Sequence, residues 1–200
     1  MSLRFNFNGS RLRNFKVGQS ALNLEMDQSE SQVKLTVESS GPPVDLEFSP
    51  EIRLGAKNLR ASLNGRRVAV TAAEHAQDVH AGIKFRVEQR TELILRFEPG
   101  VRPHLPAMPL AIGDRSRGLR VLSSKLEGRT YRAEVEGRPG ACAPFAISTP
   151  WQVQRVTGGQ KTSHQGSEWR FDVTPTPESC GSGADPGAYQ KWTFQVEFAQ

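Results

Sequence analysis

Val79-His80-Ala81-Gly82-Ile83-Lys84-Phe85-Arg86-Val87 puts an apolar side chain at every second position. His80, Gly82, Lys84 and Arg86 occupy the positions between, and Glu88 continues them. Successive side chains of a strand point to opposite faces, so this pattern predicts a strand with one face in a core and the other in water. The same period recurs in Leu3-Phe5-Phe7, Leu22-Leu24-Met26, Val33-Leu35-Val37 and Val44-Leu46-Phe48. Phe145-Ile147, Trp151-Val153, Trp169-Phe171-Val173 and Trp192-Phe194-Val196-Phe198 carry it to the C-terminal end. Helical spacing is not sustained over the ten or so residues a helix needs.

Turn residues fall between these runs. Asn64-Gly65 separates Leu59-Ala61-Leu63 from Val68-Ala69-Val70, the strongest short hairpin signal in a sequence. Glu127-Gly128 stands before Tyr131-Ala133-Val135, Gln89-Arg90 before Leu93-Leu95-Phe97, and Gly41-Pro42-Pro43 and Gly158-Gly159 punctuate other joins. About a dozen short strands at this spacing predict an all-β protein of antiparallel sandwiches.

The rhythm lapses from Pro99 to Arg117, where Pro99, Pro103, Pro106 and Pro109 interrupt any ladder. Proline lacks the N–H that a ladder or helix requires, so this stretch reads as an extended connector. The expected organisation is a β-sandwich over 1–100, a Pro-rich connector over 101–116, and a second, immunoglobulin-like β-sandwich over 117–200.

Composition narrows the function. The 200 residues are 36% hydrophobic and 24% charged, and ten Phe with three Trp can fill cores, which excludes wholesale disorder. No apolar run approaches the ~18 residues of a membrane span, and Met1-Ser2-Leu3-Arg4-Phe5-Asn6 does not lead into a signal-peptide core. The net charge of +5 comes mostly from arginine, which supplies 19 of the 26 cations. Those charges are interspersed. Only Arg11-Leu12-Arg13, Arg66-Arg67 and Arg115-Ser116-Arg117 are dense, and none interleaves with aromatics as a nucleic-acid platform would. No nucleic-acid partner is expected.

Candidate chemistry is sparse. His75, His80, His104 and His164 form no close ligand set and read as exposed or loop residues. Ser10, Ser40 and Ser182 lie near glycines, but no Gly-x-Ser-x-Gly elbow occurs, and no phosphate or dinucleotide loop is present. Asp172, Glu178 and Asp185 lack calcium-loop spacing. No cofactor and no metal are therefore expected, and no catalytic residue is assigned. Cys142 and Cys180, 38 positions apart in loop-like surroundings, are a possible disulfide in an oxidising compartment and two thiols elsewhere. Trp169 and Trp192 share strand phase with Phe171 and with Phe194 and Phe198, which predicts core positions. Trp151, after Pro150 at a strand start, and Tyr189, closing a long Gly-rich loop, remain as candidate ligand-binding rings.

Gly113-Asp114-Arg115-Ser116-Arg117-Gly118-Leu119-Arg120-Val121-Leu122 and Tyr131-Arg132-Ala133-Glu134-Val135-Glu136-Gly137-Arg138-Pro139-Gly140 are similar to the C-terminal β-sandwich regions of large secreted bacterial glycoside hydrolases. Ala61-Ser62-Leu63-Asn64-Gly65-Arg66-Arg67-Val68 fits the same pattern, so the resemblance covers about residues 55–150. It rests on strand and turn residues and brings no catalytic residue with it. It implies a non-catalytic accessory module, extracellular or periplasmic, that packs against or spaces a catalytic domain of the same parent protein. A polysaccharide-binding module using exposed aromatics is the alternative, and a hydrolase with a site between the two sandwiches is a third reading.

Overall fold

Val79–Val87 is a strand, β10, and its hydrogen-bonded neighbours build the first of four sheets found among the described residues. The structure is a computed structural model that describes residues 2–3, 9–74, 79–106, 118–138, 143–174 and 189–199. Among them there is no helix, so none is long and apolar enough to cross a membrane. The chain divides into two units, Met1–Pro99 and Gly100–Gln200.

In the first unit β10 pairs with β5 (Val44–Phe48) along one half, and with β6 (Glu51–Ile52) and β9 (Thr71–Glu74) along the other. β1 (Ser2–Leu3) adds to β5 in parallel. The second sheet runs in the order β2 (Ser10–Val17), β3 (Ser20–Gln28), β4 (Gln32–Ser40), β11 (Arg90–Glu98), β7 (Lys57–Leu63) and β8 (Arg66–Val68). One buried cluster joins the two. Leu22, Leu24, Leu35, Leu93 and Leu95 come from the six-stranded sheet, and Leu46, Phe48 and Ile83 from the other. Each large apolar side chain removed from water in this way stabilises the fold by roughly 1.5–3 kcal/mol before entropy is counted.

The hairpin at Asn64-Gly65 forms as its dipeptide predicts. Both residues have positive φ, 48° and 80°, which matches the right-handed twist of the flanking strands. Asn64 is also tied to β11, since its N–H donates to the Glu92 carbonyl and its Oδ1 accepts the Glu92 N–H, each at 2.8 Å.

In the second unit one sheet runs β12 (Arg102–His104), β15 (Ala143–Ser148), β18 (Glu168–Val173), β17 (Gly159–Gln165). The other runs β13 (Arg120–Glu127), β14 (Thr130–Gly137), β19 (Gln190–Phe198), β16 (Val153–Thr157). Phe194 holds the sheets together. Its ring meets Phe145 at 5.1 Å and Phe171 at 5.4 Å between centroids, both edge-on, the geometry that aromatic quadrupoles favour. Tyr131 is also fully buried, and that burial raises its phenol pKa, with Ser124 only partly opposing the shift.

Two expectations change. Arg102–His104, read as part of the connector, instead form β12, paired with β15; Pro103 is tolerated because β12 borders its sheet among the described strands. Residues 107–117 of that segment lie outside the described residues, as do Phe5 and Phe7 of the first alternating run. The strands are also more numerous than a dozen, because polar ones such as β17 carry no apolar alternation.

Gly158 marks the corner between β16 and β17. Its φ is +73°, and a Cβ added there would run into the Thr193 carbonyl oxygen, whereas one added at Gly65 (φ +80°) meets nothing within 4 Å. Gly65→Ala should therefore cost about 1–2 kcal/mol, the left-handed penalty alone. Gly158→Ala should cost distinctly more, because backbone must shift as well. Denaturant midpoints of the two variants check this, and equal losses would refute the close approach at the corner.

Candidate functional site

The aromatic side chains of the second unit divide into rings consumed by packing and one left open. Trp169, on β18, is 4% exposed and belongs to the core, as its phase predicts. The His164 imidazole from neighbouring β17 lies flat on it, 3.6 Å between centroids and 8° from parallel, with the Lys161 ammonium 5.2 Å from the ring. The indole Nε1–H donates to the Trp151 carbonyl at 3.2 Å.

Trp151 is half-buried, not an open platform. The Arg129 guanidinium sits 3.8 Å from its ring centroid, within cation–π range, and Phe198 packs edge-on at 5.5 Å. Trp192, expected in the core, is also only half-buried. Its ring packs so closely on Gly137 that a Cβ there would come within 2.8 Å of it.

Tyr189 is the ring that stays open, 39% exposed just before β19. Arg120, opening β13, and Arg138, just past β14, bring guanidinium carbons to 5.4 Å and 5.7 Å from its centroid. Arg120 also pairs with Glu136 at 3.5 Å. Sequence position gives no hint of this grouping, since residues 120, 138 and 189 meet only through the β13–β14 and β14–β19 registers.

His164 is exposed as expected, whereas His80 departs from the exposed-or-loop reading. His80 is in β10 and 6% exposed, because the Ser49-Pro50 link lies against this stretch of the strand. Its Nδ1 is 2.9 Å from the Ser49 carbonyl, which can only accept, so Nδ1 carries the proton in that bond. His104, in β12, reaches the Glu168 carboxylate at 3.5 Å, and His164 stands on β17. His75 lies outside the described residues, as do Cys142, Cys180, Ser182, Glu178 and Asp185. Among the described residues no group of three His, Cys, Asp or Glu side chains could hold a metal.

The first unit presents a shallow groove of about 640 Å³ on the outer face of its six-stranded sheet. Cross-strand ion pairs occupy that face: Arg11–Glu25 at 2.6 Å, Lys34–Glu92 at 2.6 Å and Arg90–Glu38 at 3.3 Å. Charges already matched in this way leave little for a ligand to neutralise.

The chain matches no family model and no curated protein. A solved structure, a GH127 β-L-arabinofuranosidase from Geobacillus stearothermophilus T6, is similar over 98% of this chain, at 13% identity and a TM-score of 0.41. The match takes in 33% of that chain, so this sequence spans about a third of its length.

Two outcomes follow from these contacts. Trp169→Ala should destabilise the second unit by about 3–5 kcal/mol through the cavity it opens, seen as a lower melting temperature. Glu168 is held below its ordinary pKa chiefly by the Arg170 Nε–H, 2.8 Å away, with help from His104. A depressed carboxylate pKa stabilises the fold above pH 4.5, its ordinary value, and that gain is lost as pH falls through the folded-state value. The pair is solvent-screened, so the gain is at most about 0.5 kcal/mol. Glu168→Gln should remove this part of the acid limb in a stability-against-pH titration and leave stability well below pH 4.5 unchanged; an unaltered acid limb would refute it.

Proposed function

We propose that the chain is a non-catalytic β-sandwich accessory module of an exported bacterial protein, and that it serves a catalytic domain by binding polysaccharide. The observation that carries this reading is the contrast among its rings. Trp169 and Trp151 are covered by His164 and Arg129, while Tyr189 remains open at the end of a sheet. A ring next to a strand end offers a flat apolar surface on which a sugar can stack. The similarity of residues 55–150 to accessory regions of secreted glycoside hydrolases supports the partner and the compartment.

Tyr189→Ala should leave the melting temperature nearly unchanged and weaken retention on a glycan array by roughly tenfold. Trp151→Ala should lower the melting temperature, because it removes the contacts to Phe198 and Arg129. Turnover of aryl glycosides by the purified protein would overturn the non-catalytic reading. Glycan binding undiminished by Tyr189→Ala would move the binding surface elsewhere.

A further inference from the structure

Positive charge gathers around the open ring. Arg120 is registered with Glu136, and Glu136 with Lys191, so the three stand in one cross-strand row on the outer face of the sheet. Arg138 follows Glu136 by two residues and Tyr189 precedes Lys191 by two, which continues the same face one step beyond the strand ends. The guanidinium distances of 5.4 Å and 5.7 Å to the Tyr189 ring agree with that placement. Among the described residues, Arg120, Arg138 and Lys191 thus share the patch with the Glu136 carboxylate, and Arg120 already engages it.

Arg138 adds a second observation. Its Nε is shielded from water and has no hydrogen-bond partner among the described residues. One donor of this guanidinium is thus already out of water, so an anion meeting its remaining N–H groups gains a charge-assisted bond at reduced desolvation cost. Further along the same face the polar groups have protein partners instead: Arg132 donates to Gln195 at 3.1 Å, and Thr193 donates to Glu134 at 2.8 Å.

We propose that this patch binds an acidic polysaccharide, with a sugar ring against Tyr189 and a uronate carboxylate on the guanidinium of Arg138, Arg120 and Lys191 adding long-range attraction. The assignment rests on the polysaccharide-binding reading above and names its ligand class. A planar carboxylate matches the guanidinium fork, which a lysine cannot reproduce. A neutral sugar would leave the guanidinium charge without an anion.

Affinity electrophoresis of the intact chain through polygalacturonate, a neutral galactan, dextran sulfate and polyacrylate tests this, with thermal melts showing that each variant is folded. Retention is expected in polygalacturonate, weakened roughly tenfold by Arg138→Gln or by Tyr189→Ala and unchanged by Arg132→Gln. Arg138→Lys, which keeps the charge but not the fork, should weaken it as well. Equal retention by polyacrylate, which has carboxylates but no sugar ring, would overturn the proposal as unspecific charge attraction. So would equal weakening by Arg132→Gln. A preference for dextran sulfate would overturn the uronate assignment in favour of sulfate esters. Retention by galactan alone, lost in Tyr189→Ala and kept in Arg138→Gln, would overturn the acidic ligand and leave the polysaccharide reading standing. No retention in any gel would overturn both.

Discussion

A pleated strand cannot place two successive side chains on the same face, and both units of this chain are built on that constraint. Once Leu22, Leu24, Leu35 and Ile83 turn inward in the first unit, their polar neighbours must turn outward. Those neighbours then meet across strands at close spacing, which is why the outer face becomes a ladder of matched charges such as Lys34–Glu92 and Arg90–Glu38. In the second unit the same rule delivers Phe194 to the interior between Phe145 and Phe171. The candidate site arises where the outer-face alternation runs on past the strand ends, with Arg138 and Tyr189 just outside β14 and β19.

The fold is legible to the extent that burial follows the period of two. β10, the Asn64-Gly65 hairpin and the inward phase of Trp169 can all be read locally. β17 cannot, because Gly159-Gln160-Lys161-Thr162-Ser163-His164-Gln165 has no apolar alternation; it borders its sheet and is held by pairing to β18. β12 is hidden by Pro103, which argues against a strand unless the strand lies at an edge. His80 escapes local reading because its burial depends on the Ser49 carbonyl, 31 residues away.

The site is legible in one residue and opaque in the rest. Tyr189 stands out from sequence as a ring beside a Gly-rich stretch, with no strand alternation to bury it. Its two guanidiniums, and Arg129 over Trp151, are products of register and hairpin geometry. Register is decided by whole strands, including irregularities such as the shift between Val121 and Ser123. A single sequence does not expose such shifts, so cross-strand neighbours cannot be paired by counting.

The Gly158-Gly159 corner bears on how the second unit can meet other strands. β16 ends one sheet and β17 ends the other, and the corner passes between them with Gly158 against Thr193 of β19 and Gly159 against Asp172 of β18. The two sheets are therefore hemmed together along one margin by continuous chain. Peeling away either border strand would drag on its counterpart in the opposite layer. Strand exchange with another copy of the protein is accordingly disfavoured along that seam; among the described strands the opposite margin is bordered by β12 and β13, which no such corner joins.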